Sequence, residues 1–182
     1  KQTRKVGVNE QLSLSCQFGA LQPHDKGVQF DFITTAKVGS EVVMEGTTTY
    51  LARQKTDGKV AAKAAETKTP AYELNAEWNV SENIGRRYAL TSGDFNLIHI
   101  HAITAKAFGF KQAIAHGMWS KAKALAYLTL PDRYEADVWF KLPMYLPSTV
   151  EFLTAQAGKN TEFLIRNSKN QKPHVAGSVK AL

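Results

Sequence analysis

The sequence is poor in cysteine, has no long apolar run, and lacks the spacings that mark the commonest metal and nucleophile sites. Cys16 is its single cysteine, so an internal disulfide framework is excluded and a reducing, cytoplasmic compartment is the expected setting. Cys16 falls in the alternating set Leu12, Leu14, Cys16, Phe18 and is expected to be a small buried apolar residue. No stretch approaches the roughly 20 apolar residues of a membrane-spanning helix, and no signal peptide is visible at the start. The chain opens at Lys1 without a methionine, which leaves room for a removed N-terminal portion. Zinc-finger spacing and an RNA-binding aromatic signature are both absent and the lysines are scattered, so no nucleic-acid partner is expected. Ser92 and Ser120 lack a G-x-S-x-G elbow and Cys16 sits in a strand pattern, which disfavours nucleophilic catalysis.

What is present suffices for a folded domain. Hydrophobic residues make up 43% of the 182, enough for a core, and the net charge of +7 favours anionic partners such as a phosphate-bearing cofactor handle or an acidic carrier protein. From Glu10 to Arg53 the pattern is β: Leu12 to Phe18 alternate, Val28, Phe30 and Phe32 alternate, and Val42, Met44 and Tyr50 share a period of two. Turn residues at Gln22 to Gly27 and at Gly39-Ser40 separate three antiparallel strands. The alanine-rich, polar stretch after Arg53 reads as a linker. A short helix is predicted around Ile103 to Phe108, ending near Gly109, and a longer one from Gly117 to Leu128 with a small-residue face. Four strands follow: Val138–Leu142, Thr149–Ala157, Glu162–Asn167 and His174–Leu182. The last three repeat the plan of the first three, so the chain divides into a partial first unit (1–53), a linker (54–75) and a second unit (76–182). An open three-stranded sheet cannot cover its own apolar face and must pack on something else.

Functional content concentrates between Tyr88 and Met118. Asp94 and His99 are five residues apart, a rotation of roughly 140° on an ideal helix, so a turn must bring them together. Gly93 and Asn96 supply turn chemistry. His116-Gly117-Met118 reads as a helix start, where exposed N–H groups and the macrodipole favour negative charge and a glycine permits close approach. An acid and a histidine facing such a donor suit proton transfer next to a carbonyl. Taken alone, Asp94 is an ordinary turn residue and His99 an ordinary structural histidine; their grouping with Gly93, Asn96 and the later His-Gly-Met makes the case.

Those residues carry a resemblance. Tyr88-Ala89, Ser92-Gly93-Asp94-Phe95-Asn96-Leu97-Ile98-His99, Ala115-His116-Gly117-Met118 and Phe140-Lys141-Leu142-Pro143 resemble the motifs of the MaoC-like dehydratases, or R-specific enoyl-CoA hydratases. The resemblance covers about 105 residues, from near Ala76 to Leu182. It implies an α+β hotdog fold, an antiparallel sheet wrapped around a central helix, here preceded by a partial, degenerate hotdog as in double-hotdog members. It implies a hydro-lyase that interconverts trans-2-enoyl and (R)-3-hydroxyacyl thioesters of coenzyme A or an acyl carrier protein. Asp94 and His99 would activate the water and manage the proton at C2, and Gly117 would bind the thioester oxyanion. Asn96 would brace the turn, with direct substrate contact as the lesser role. Beside Gly117, His116 and Met118 are further candidates at the oxyanion and substrate-binding end. By position His116 is expected to cap or brace the helix start, with action as an acid the lesser role, and Met118 and Trp119 to form pocket wall or core. No metal and no separate cofactor are implied, and a homodimer or pairing with a second hotdog unit is. By analogy with double-hotdog members, longer acyl chains are expected.

One departure stands out: Leu97 occupies the family's usual proline position, so the loop loses a fixed φ and gains an N–H. His101 forms a His-x-His pair with His99, without further ligands at convincing spacing for a metal. Arg86 and Arg87 read equally as phosphate contacts or as plain surface. The competing functions are a hotdog thioesterase and a non-catalytic acyl-thioester-binding subunit; retention of both Asp94 and His99 argues against the latter.

Overall fold

The computed structural model describes residues 1–55 and 70–182; most of the linker expected at 54–75 lies outside them. The described residues fall into two compact units. The first holds residues 1–55 with Pro131–Glu135 and Leu182, and the second holds Pro70–Leu130 and Ala136–Ala181.

In the first unit, β1 (Ser13–His24), β2 (Gly27–Val38) and β3 (Glu41–Arg53) form an antiparallel meander in the order β1-β2-β3. The alternation read from the sequence puts Leu14, Cys16 and Phe18 on one face, opposite Ala36, Thr34 and Phe32. Aromatic pairs stabilise that face: Phe18 lies on Phe32 with centroids 4.6 Å apart, and Phe30 stacks on Tyr50 at 5.6 Å. Cys16 is exposed, contrary to the expectation of a buried thiol. Alternation fixes which face a residue shares but not whether that face is covered, and Leu14, Phe18 and Leu21 on it are exposed as well.

The second unit is built on a five-stranded sheet, β4 (Glu73–Val80), β5 (Tyr134–Phe140, in this unit from Ala136 on), β6 (Ser148–Ala157), β7 (Asn160–Asn167) and β8 (Pro173–Ala181), in the order β4-β6-β7-β8-β5. The β4/β6, β6/β7 and β7/β8 ladders are antiparallel. Between β4 and β5 the chain makes α1 (Ile84–Ser92), α2 (Leu97–Ile100), α3 (Ala102–Ala107) and α4 (Gly117–Tyr127). Ser120 and Ala124, four residues apart on one side of α4, are its buried residues, whereas Met118, Ala122 and Ala126 of the face expected to pack are exposed and Leu125 is half-buried, because the helix turns its other side to the sheet. Tyr127 packs against Trp78 and Phe152, Trp78 stacks on Phe152 at 5.0 Å, and Phe152 reaches Phe163. Phe152 and Phe163 are fully buried; truncating either to alanine should cost about 3–5 kcal/mol. Gly177 in β8 is required by this packing, because a Cβ there would lie 2.3 Å from the Phe163 ring and 2.7 Å from the Asp137 carbonyl oxygen.

Candidate active site

The turn that joins Asp94 to His99 is made in three steps. Gly93 caps α1 in the left-handed conformation (φ 75°), its N–H bonded to the Ala89 carbonyl at 2.8 Å. Asp94 then accepts the Asn96 N–H on Oδ1 at 3.1 Å, and Asn96 in turn accepts the Ile98 N–H as the N-cap of α2. One helical turn later comes His99. Asn96 therefore braces the loop, the first of the two roles expected of it.

His99 is buried, and its Nδ1 lies 2.8 Å from the Ile114 carbonyl oxygen. A carbonyl only accepts, so Nδ1 carries the proton and Nε2 of the neutral ring presents a lone pair. The partner carbonyl is itself held: Ile114 N–H donates to Ile98 O at 3.1 Å and Ala115 N–H to Met144 O at 2.9 Å. Burial, more than any other influence, lowers the His99 pKa below the usual histidine value; His116 adds to the lowering, while the Ile114 bond and Asp94 oppose it.

His116 precedes α4, with its ring against His99 at 3.7 Å between centroids. Its side chain makes no cap bond to the helix. Instead Nε2 donates to the Asp94 backbone oxygen at 3.0 Å and stands 3.7 Å from the Asp94 carboxylate. The side-chain cap expected of it is absent; the ring instead braces the loop that carries Asp94. One carboxylate oxygen of Asp94 and one ring nitrogen each of His99 and His116 all lie within 4.8 Å of one another. Such a trio suits acid/base work, and its donor types and spacing could also hold a cation.

Gly117 opens α4, where the first N–H groups have no partner within the helix. A Cβ at this position would meet the Phe140 ring at 2.9 Å, so the glycine lets the aromatic close over the helix start. Gly117, His99, Ser120, Phe140, Met144 and His174 are among the residues bounding a cavity of about 200 Å³. Met118 does not bound it and is half exposed. His101 caps α3, accepting the Ile103 N–H on Nδ1 at 3.1 Å, and lies outside the His99 cluster. Arg86 donates to the Ile100 carbonyl at 3.1 Å and thereby ties α1 to α2.

Two residues escaped the sequence reading. Gly85 in α1 faces the backbone of His99: a Cβ there would lie 1.9 Å from the His99 carbonyl oxygen. His174 is buried on the cavity wall with Nδ1 3.1 Å from the Leu142 carbonyl oxygen. A glycine in a helix one step before Arg86-Arg87 was the available signal for the first; a histidine opening an otherwise apolar strand was the signal for the second.

Residues 62–176 match the family model described as MaoC like domain. The chain belongs to the MaoC-like dehydratase family. It is 32% identical to 3-hydroxyacyl-thioester dehydratase X of Mycobacterium tuberculosis over 184 residues, covering 100% of this chain and 66% of that protein's length. The crystal structure of HtdX from the same organism superposes with a TM-score of 0.83 at 32% identity, over 100% of this chain and 73% of that one. A MaoC-like dehydratase from Phytophthora capsici, at 22% identity and a TM-score of 0.76 over 94% of this chain and 62% of that one, shares the fold. The fold is the hotdog that the MaoC-like motifs implied.

Proposed function

We propose that this chain is a hydro-lyase that interconverts trans-2-enoyl and (R)-3-hydroxyacyl thioesters. The observation that carries the reading is the placing of the Asp94 carboxylate beside a His99 ring with a fixed tautomer, next to the start of α4. In the hydration direction His99 Nε2, aided by Asp94, takes a proton from water as the oxygen bonds to C3. The C2–C3 π pair moves toward the thioester carbonyl. The developing negative oxygen is met by the Gly117 N–H and by the positive end of α4. Collapse of the enolate then draws the proton onto C2, so water's hydroxyl ends on C3 and its hydrogen on C2. His116 acts through Asp94, and Asn96 through the loop.

Coenzyme A or an acyl carrier belongs to the substrate in this reading, and neither a metal nor a separate cofactor takes part. The surplus positive charge suits the phosphates of either carrier. A homodimer, or pairing with a second hotdog unit, belongs to the same proposal; the exposed apolar residues of the first unit support it. A cytoplasmic setting fits an unpaired, exposed cysteine, and among the described residues no helix is long and apolar enough to cross a membrane.

The test is chiral analysis of the product formed from crotonyl-CoA and from a long-chain trans-2-enoyl-CoA. An (R)-3-hydroxyacyl product is expected, with the longer substrate preferred. An (S) product, or release of free thiol from a saturated acyl-CoA in place of hydration, would overturn the assignment.

A further inference from the structure

The ladder between β7 and β8 pairs Ile165 with Val175 and Arg166 with Pro173, so His174 is the extra residue of a β-bulge. Alternation would send His174 and Val175 to opposite faces, yet both are buried and both bound the cavity shared with His99 and Gly117. A bulge re-aims a side chain in this way, and bulges concentrate beside functional sites.

The ring's orientation is fixed from behind. Nδ1 lies 3.1 Å from the Leu142 carbonyl oxygen, so it carries the proton, and the His174 carbonyl accepts the Lys141 N–H at 2.9 Å. Nε2 is then left as an acceptor; it is buried and has no hydrogen-bond partner among the described residues. Burial lowers the pKa of this ring below the usual histidine value, against the Leu142 and Pro143 carbonyls, which raise it, so at neutral pH the ring is uncharged and offers a lone pair and no second proton. An unpaired buried acceptor costs free energy that an arriving donor relieves.

The cavity's other walls are mostly apolar, formed by residues such as Ile114, Phe140, Leu142 and Met144, and Asp94 does not bound it. An enoyl group carries no O–H or N–H. Its hydrated counterpart carries one, the hydroxyl at C3, and the proposed reaction makes that hydroxyl beside His99. We propose that His174 is a specificity-determining residue whose Nε2 accepts a hydrogen bond from the hydroxyl of the 3-hydroxyacyl thioester. This rests on the hydro-lyase reading for the identity of the ligand. It adds to that reading a residue that distinguishes the two sides of the reaction: it favours the hydroxylated ligand and leaves the enoyl ligand unrecognised at this point.

The experiment measures binding of (R)-3-hydroxybutyryl-CoA and of butyryl-CoA, which lacks only the hydroxyl, in an Asp94→Asn background where turnover does not alter the ligand. His174→Asn is the informative variant, because the asparagine amide can keep the donor to the Leu142 carbonyl while the Nε2 acceptor is lost. Affinity for the hydroxylated ligand should fall roughly three- to tenfold with butyryl-CoA unchanged, and His174→Gln, which returns an acceptor near the Nε2 position, should recover most of the difference. A second readout needs no change at His174: the ¹⁵N shift of its Nε2 should respond to (R)-3-hydroxybutyryl-CoA and not to butyryl-CoA. Equal loss on both ligands, no loss on either, or an Nε2 shift indifferent to the hydroxyl would overturn the proposal. Failure of the wild-type chain to hydrate crotonyl-CoA would instead strike the hydro-lyase reading, and the two results are separable because one reads binding and the other turnover.

Discussion

His99 sets the pH behaviour at the scale of single residues. In the proposed reaction its neutral form is the base, and burial holds its pKa below the usual value near 6.5. The acidic limb of kcat/KM should therefore fall below pH 6.5, and a limb above that value would contradict the assignment. Stability follows the same sign. The unfolded chain takes up the proton first as pH falls, so the contribution of neutral His99 and His174 is fully present above pH 6.5 and is lost as pH drops through their lower folded pKa values. Thermal melts between pH 7 and pH 5 should show a falling unfolding temperature, with a shallower fall in His174→Asn. Leu97 permits a test in the opposite direction. It is the first residue of α2, a favoured position for proline, and Asn96 before it already has an extended ψ of 126°. The cap bond runs from Ile98 N–H, so the extra N–H of Leu97 is not part of it. Leu97→Pro should keep or raise activity and stabilise the fold by about 0.4–1 kcal/mol; a large loss of activity without unfolding would show that the loop needs leucine's freedom.

Among elements, α4 and α1 hold the candidate site by close approach, Gly117 against Phe140 and Gly85 against the His99 backbone. Gly117→Ala would drive its Cβ into the half-exposed Phe140 ring, which can swing aside, so the unfolding temperature should change little. Hydration should nevertheless fall on the order of 10²-fold as the helix start is displaced from the thioester. Phe140→Ala added to that variant should recover part of the rate, and strictly additive losses would contradict the contact. Gly85→Ala differs, because its Cβ meets the His99 backbone, which has no rotamer to yield. It should lower stability by about 1–3 kcal/mol and activity together. The elements differ in how far the sequence announced them. The α4 helix and the strands β1 to β3 and β5 to β8 followed from periodicity and turn residues. The strand β4 was missed although Leu74, Ala76, Trp78 and Val80 alternate in it, because Glu73, Asn75, Glu77 and Asn79 between them are poor strand formers. The sequence pattern assigns no element to α1 and places α2 inside the turn that joins Asp94 to His99, four residues being too few for any period to show.

For the whole molecule, charge and coverage matter more than any one side chain. A net charge of +7 should steer a phosphate-bearing substrate, so KM for crotonyl-CoA should rise with salt, whereas the N-acetylcysteamine thioester, which lacks the phosphates, should respond little. Equal salt responses would remove charge steering from the account. The Asp94, His99 and His116 cluster calls for a chelation control: incubation with EDTA should leave hydration unchanged, and a loss restored by a divalent ion would assign the trio to a metal. Motif spacing made the geometry of the candidate site legible: the turn at Gly93 and Asn96, the approach of Asp94 to His99 and the helix start at Gly117 are all as the spacing predicts. What it could not give was burial and three-dimensional approach. The exposure of Cys16, the brace from His116 to the Asp94 backbone, the bulge at His174 and the glycine behind His99 all depend on which residues meet across elements distant in sequence.

The most direct measurement follows the conjugated enoyl-thioester absorbance of crotonyl-CoA with the wild-type chain and with Asp94→Asn. Asp94 is half exposed, so the variant should fold as the wild type does. Rapid loss of absorbance is expected with the wild type, and a rate lower by about 10²–10⁴-fold with Asp94→Asn at an unchanged unfolding temperature. Equal rates for the two proteins, or no hydration by folded wild type, would contradict the hydro-lyase reading.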